Sequence, residues 1–134
     1  MFYPMFAMVL LTFAVAFYMF IQRLGAVKQH KVSLGYFRLN SGAAEPPARM
    51  VAASNHFSNL FEVPVLFYTV CLLAMIMNLQ GPLLVLIAWI FVAARVLHAL
   101  IHVTYNNVLH RTLAFSISVI CVLAMWVIIA ITVS

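Results

Sequence analysis

The chain has 134 residues, of which 67% are hydrophobic and 7% charged, with a net charge of +5 and a mean hydropathy of +1.15. A soluble domain is roughly 45–50% apolar and about 25% charged, and a chain this short cannot hide such an apolar surplus inside a water-soluble core. The composition excludes a soluble enzyme, a disordered tail and a nucleic-acid module. It leaves an all-α integral membrane protein: one four-helix transmembrane domain over residues 1–134, in a lipid bilayer.

A bilayer core takes about 20 apolar residues of helix. The first such run covers residues 2–22 and ends at Gln22-Arg23. It has no basic leader and no small-residue cleavage site before the positive cluster, so it reads as an uncleaved span. The first loop, residues 23–49, holds Arg23, Lys28, Lys31, Arg38 and Arg49, and ends in Glu45-Pro46-Pro47 ahead of the next helix. Val27, Val32, Leu34, Tyr36 and Phe37 suggest a short amphipathic stretch within it.

The second span is expected over residues 50–79, with Glu62 as its one acid and Pro64 kinking it by freeing the carbonyl near Leu60. A tight turn, Asn78-Leu79-Gln80-Gly81-Pro82, leads to the third span, residues 82–105, which carries Arg95, His98 and His102. Residues 105–111 form the third connection, and the fourth span is expected over residues 112–133. Five of seven cations lie in the first loop, and a sixth, Arg111, opens the fourth helix. The positive-inside rule puts both connections in the cytoplasm, with the termini and the Gly81-Pro82 turn opposite. Cys71 and Cys121 lie deep in apolar runs and read as unbridged packing thiols. The phenylalanines and methionines read as lipid-facing and interhelix packing. Trp89 and Trp126 lie too far inside their spans to be interface anchors.

Ionisable side chains inside a span are costly and face a bundle interior or a wet cavity. Asn55, Asn59 and Glu62 are spaced i, i+4, i+7, on one helical face. Arg95, His98, His102 and Tyr105 are spaced i, i+3, i+7, i+10, also on one face. Folding the chain at Gln80 sets Glu62 level with His98 and Asn59 level with His102, with Arg95 close enough to pair with Glu62. Arg23 closes the first helix and Arg111 opens the fourth at the same end. Each residue also has a plainer reading: a register-fixing ion pair for Arg95 and Glu62, interhelical glue for Asn59, snorkelling anchors for Arg23 and Arg111. Together they describe a donor-rich, net positive pocket suited to an anion with several carboxylates and an amine. A cation beside a thiol also favours its thiolate. His98 and His102, with Glu62 level, have metal-ligand spacing as a third reading, with His56 a candidate fourth ligand that lies about 60° round from the main stripe of Asn55 and Glu62.

Asn59-x-x-Glu62, Arg95-x-x-His98 and Arg111-Thr112-Leu113-Ala114-Phe115, in that order on successive spans, resemble the MAPEG family of membrane-associated proteins in eicosanoid and glutathione metabolism. Arg23-Leu24-Gly25-Ala26-Val27 and Lys31-Val32-Ser33-Leu34-Gly35-Tyr36-Phe37 look like the first loop of bacterial members. The resemblance implies a four-helix protomer in the bacterial inner membrane, a homotrimer, and glutathione bound between protomers near the cytoplasmic face. Arg23, Asn59, Glu62, Arg95, His98 and His102 would bind it. Arg111 matches the arginine that stabilises its thiolate, with Thr112 as the hydroxyl beside it. The implied activity is that of a glutathione-dependent transferase or peroxidase on lipophilic electrophiles. The sequence departs from the family pattern at Asn55 and Ser58, where arginines are expected, and at His102 and Phe115, where tyrosines are. Those departures suit an alternative: a non-catalytic lipid-binding member or an accessory subunit of a membrane complex.

Overall fold

The computed structural model describes residues 1–39 and 45–133. Six helices follow in order: Phe2–Lys28 (α1), Tyr36–Leu39 (α2), Ala48–Asn59 (α3), Val63–Ile76 (α4), Pro82–Val103 (α5) and Val108–Val133 (α6). There is no strand among the described residues. Four runs are long and apolar enough to cross a membrane: α1, α3 with α4, α5, and α6. α5 is the most buried of the four and α1 the least.

α5 packs most extensively against α6, and α1 against α3; contacts of α1 with α5 and of α4 with α6 close the bundle. The core is apolar and aromatic. Phe67 of α4 and Phe91 of α5 stack with ring centres 4.1 Å apart and planes 11° from parallel, both fully buried. Met8, Val70, Cys71, Ala74, Ala88 and Met125 fill the space around them. The outward faces carry Phe13, Phe17, Leu86, Leu123 and Ile131, all exposed, as lipid-facing helices require. Both cysteines are buried and free. The Met1 amino group donates to Gln80 Oε1 at 3.2 Å, so the start of α1 and the α4–α5 turn share one end of the bundle.

Several helix boundaries differ from the expected ones, and the larger differences have local reasons. α1 runs on to Lys28, which leaves Arg23 inside the helix. It stops where His30 turns left-handed (φ 53°) and the Lys31 N–H reaches back to the Ala26 carbonyl. The second span is broken, not merely kinked. The N–H groups of Leu60 and Phe61 close back on Phe57 and Ser58, and Glu62 adopts non-helical angles (φ −95°, ψ −94°) before α4 begins. Pro64 has no N–H to offer the Leu60 carbonyl, and in the first turn of a new helix that lack costs nothing. At its far end the run stops at Ile76 rather than Leu79, because Asn78 is left-handed (φ 58°) and the Leu79 N–H bonds the Ala74 carbonyl. α6 begins at Val108 rather than at residue 112. The Asn107 side-chain oxygen accepts from the N–H groups of Leu109 (3.0 Å) and His110 (3.2 Å), a helix cap. In the first loop, Val32, Tyr36 and Phe37 pack with Ala26 and Met50, while Leu34 is exposed.

Candidate functional site

α3 packs between α1 and α5, and its buried residues are Met50, Ala53 and His56, with Leu60 following. That stripe turns Asn55, Ser58 and Glu62 outward, all exposed, with Asn59 half-buried. The residue that meets α5 is therefore His56, 1% exposed. Its ring stacks on His102 at 4.7 Å and lies 5.4 Å from His98. His56 is thus the α3 residue in direct ring contact with the histidines of the third span, while Asn59 and Glu62, expected level with those histidines, share cavity walls with them. The signal for it lay in the apolar spacing Met50, Ala53, Leu60, onto which His56 falls.

On α5, Arg95, His98 and His102 are buried together. Tyr105 leaves their face: it lies beyond the helix end, exposed, with its hydroxyl 3.0 Å from His110 Nδ1. Arg95 does not pair with Glu62. None of its three guanidinium nitrogens has a hydrogen-bond partner among the described residues. The group is enclosed by aromatic rings, 5.4 Å from the centre of Phe91 and 5.1 Å from that of Phe115. The break before α4 explains the lost pair, because Glu62 no longer continues the helical register of Asn55 and Asn59.

Arg111 and Thr112 lie in the early turns of α6, next to the end of α5. Arg111 Nη1 donates to His102 Nε2 at 3.2 Å and to Asn106 Oδ1 at 3.0 Å. A guanidinium only donates, so His102 Nε2 is the acceptor. His98 Nδ1 lies 3.1 Å from the Arg111 carbonyl, which only accepts, so that nitrogen carries the proton. Two imidazoles of α5 thus hold the first turns of α6, one through a side chain and one through the backbone.

Three open cavities adjoin through shared walls. One of about 360 Å³ is lined by Asn55, Ser58, Asn59, Glu62, His102 and Arg111. A smaller one of about 180 Å³ is lined by Asn59, His98, Arg111, Thr112 and Phe115. A third, of about 350 Å³, includes Arg23, Ser54, Asn55 and Ser58. There Arg23 Nη2 donates to Ser54 Oγ at 3.2 Å, and its guanidinium lies 5.6 Å from the centre of the Phe37 ring. The structure therefore gathers Asn59, Glu62, His98, His102, Arg111 and Thr112 around the first two cavities and sets Arg23 in the third. Arg95 lines none of the three. A larger opening of about 390 Å³ lies apart from these residues, between the end of α1 and the start of α3. Among the described residues no group of three His, Cys, Asp or Glu side chains is arranged to hold a metal. The three imidazoles pack ring against ring, and Glu62 is on the outer side.

The sequence profile of the MAPEG family matches residues 1–131. The chain belongs to the MAPEG family. No curated protein and no solved structure matches it. As a member of this membrane family with four membrane-length helical runs, it is a multi-pass membrane protein. MAPEG proteins include glutathione transferases and peroxidases.

Proposed function

We propose that this MAPEG protein is a glutathione-dependent transferase or peroxidase acting on lipophilic electrophiles that reach it through the bilayer. One observation carries the reading. Arg111 lines both cavities, and its Nε and Nη2 have no partner among the described residues, because both protein contacts use Nη1. A cation with a free donor edge lowers the pKa of a thiol beside it. Thr112, in the wall of the smaller cavity, adds a hydroxyl donor.

The remaining polar groups, donors together with the Glu62 acceptor, fit a tripeptide with two carboxylates, an ammonium group and a thiol. Glu62 takes the ammonium group and Asn59 a peptide amide. Arg23 and the His102 side of the cavity take carboxylate. Glutathione supplies the nucleophilic thiol when bound. The protein binds it, holds the charged sulfur and admits an apolar substrate past Phe115. Arg95 serves from behind, as the cation beneath the Phe115 ring.

The same reading assigns a homotrimer. Glu62 and Asn55 are exposed on the outer side of a membrane-length run, and a carboxylate facing hydrocarbon is costly. A neighbouring protomer covers that face and completes the cavity; three copies follow from the family. The positive first loop, residues 23–49, and residues 105–111 face the cytoplasm of a bacterial inner membrane, with both termini opposite.

A second reading is favoured by Asn55 and Ser58. They bring an amide and a hydroxyl to the cavity walls where the family pattern has arginines, which suits a non-catalytic lipid-binding protein or accessory subunit. Titration of the purified protein with glutathione separates the two. Wild type is expected to gain thermal stability and an ultraviolet thiolate signal, and Arg111→Ala to lose the thiolate signal. A folded wild-type protein silent at millimolar glutathione overturns the enzymatic reading. Lipid or a protein partner that co-purifies with wild type and Arg111→Ala alike supports the second.

A further inference from the structure

We propose that Asn106 is a positioning residue for Arg111, holding its guanidinium so that the free donor edge faces the reacting thiol. The inference rests on the reading of Arg111 as the thiolate-stabilising cation.

An arginine near a helix start has four rotatable side-chain bonds, and the Arg111 guanidinium makes no hydrogen bond to a described residue of α6. Its restraint comes from two acceptors outside that helix, His102 Nε2 at 3.2 Å and Asn106 Oδ1 at 3.0 Å. Both accept from Nη1, whose two hydrogens are then used. One acceptor alone would leave the group free to swing about a single bond. With two, the opposite Nε/Nη2 edge is presented in a fixed direction, and that edge has the fork geometry arginine uses for anions.

The backbone at Asn106 suits the task. Its φ is 47°, in the left-handed region that Asn tolerates better than most residues, and its N–H bonds the Ile101 carbonyl at 2.8 Å. This one residue therefore both ends α5 and reaches Arg111, while its neighbour Asn107 caps α6. The amide chemistry matters as well. A carboxamide oxygen orients the guanidinium without cancelling its charge, whereas a carboxylate would hold it more strongly and neutralise it.

The test compares Asn106→Gly, which keeps the left-handed turn and removes the amide, with Asn106→Asp, which keeps an acceptor and adds charge. In detergent, ¹⁵N NMR of the Arg111 guanidinium, assigned against Arg111→Lys, reports restrained rotation. Ultraviolet absorbance against pH reports the bound thiolate. Asn106→Gly is expected to free the guanidinium and to raise the apparent thiol pKa by about one unit, a tenfold loss of thiolate at a given pH below that pKa. Measured below the pKa of the bound thiol, where its ionisation does not contribute to binding, glutathione affinity is expected to change by less than about threefold. Asn106→Asp is expected to keep the guanidinium restrained yet also lose thiolate. Asn106→Gly with wild-type restraint and a wild-type thiolate titration overturns the proposal. If wild type itself forms no thiolate with glutathione, the enzymatic reading fails and the catalytic part of this proposal with it; the NMR comparison still decides whether Asn106 restrains Arg111.

Discussion

The guanidinium of Arg95 lies 5.1 Å from the centre of the Phe115 ring, and Phe91 flanks it at 5.4 Å, in place of any carboxylate. A desolvated cation–π contact contributes about 2 kcal/mol, less than the several kcal/mol that burying an ion costs. The side chain is therefore held by packing more than by its charge. Arg95→Met, which keeps much of the volume and removes the charge, is expected to leave the melting temperature unchanged or raise it. Arg95→Ala, which leaves a cavity, is expected to lower it. Thermal unfolding in detergent compares the two; an equal drop in both variants would mean that the charge has a partner.

The Phe67–Phe91 stack ties α4 to the centre of the bundle, below the α3–α4 break. Both rings are fully buried, and a buried Phe→Ala change costs about 3–5 kcal/mol. Phe67→Ala is expected to destabilise the protein far more than the same change at lipid-facing Phe17, which is exposed. Melting temperatures of the two variants check this.

Glu62 is exposed and makes no hydrogen bond to a side chain or backbone group among the described residues beyond its own helix turn. If it receives the ammonium group of glutathione, Glu62→Gln removes one charged partner, a loss of about 1.5–3 kcal/mol. Glutathione affinity is then expected to fall by at least tenfold while the ligand-free protomer keeps its fold. Calorimetric titration measures the affinity, and circular dichroism the helix content. Unchanged affinity would remove Glu62 from the site.

Orientation is testable with single cysteines, since Cys71 and Cys121 are buried and give little background. Lys31→Cys lies at the basic end. Gly81→Cys lies in the opposite turn, where an added Cβ meets nothing within 4 Å. A membrane-impermeant maleimide is expected to reach Lys31→Cys only from the cytoplasmic side and Gly81→Cys only from the other. The reverse pattern would invert the topology.

The polar inventory of the site was legible in the chain, but its arrangement was only partly so. Asn59, Glu62, His98, His102, Arg111 and Thr112 line two adjoining cavities. Arg95, which the spacing set beside Glu62, is instead enclosed by two phenyl rings, and His56, which looked peripheral, is the α3 residue that meets α5. Each residue along a helix turns the side chain by about 100°. A face assignment is therefore only as good as the knowledge of which neighbour the helix packs against, and periodicity among polar residues alone does not supply that.

Membrane class, four crossings and family membership are properties of composition, run length and short motifs, and the sequence by itself determined them. Hydropathy acts residue by residue and needs no partner to be read. The tertiary structure decided the rest. It converted the Pro64 kink into a break at Glu62, and it turned His56 inward. It also brought Asn106 and His102 to one nitrogen of Arg111. Each outcome depends on contacts between helices distant in the chain, or on how a missing N–H is absorbed by the turns around it, and neither is encoded in any single segment.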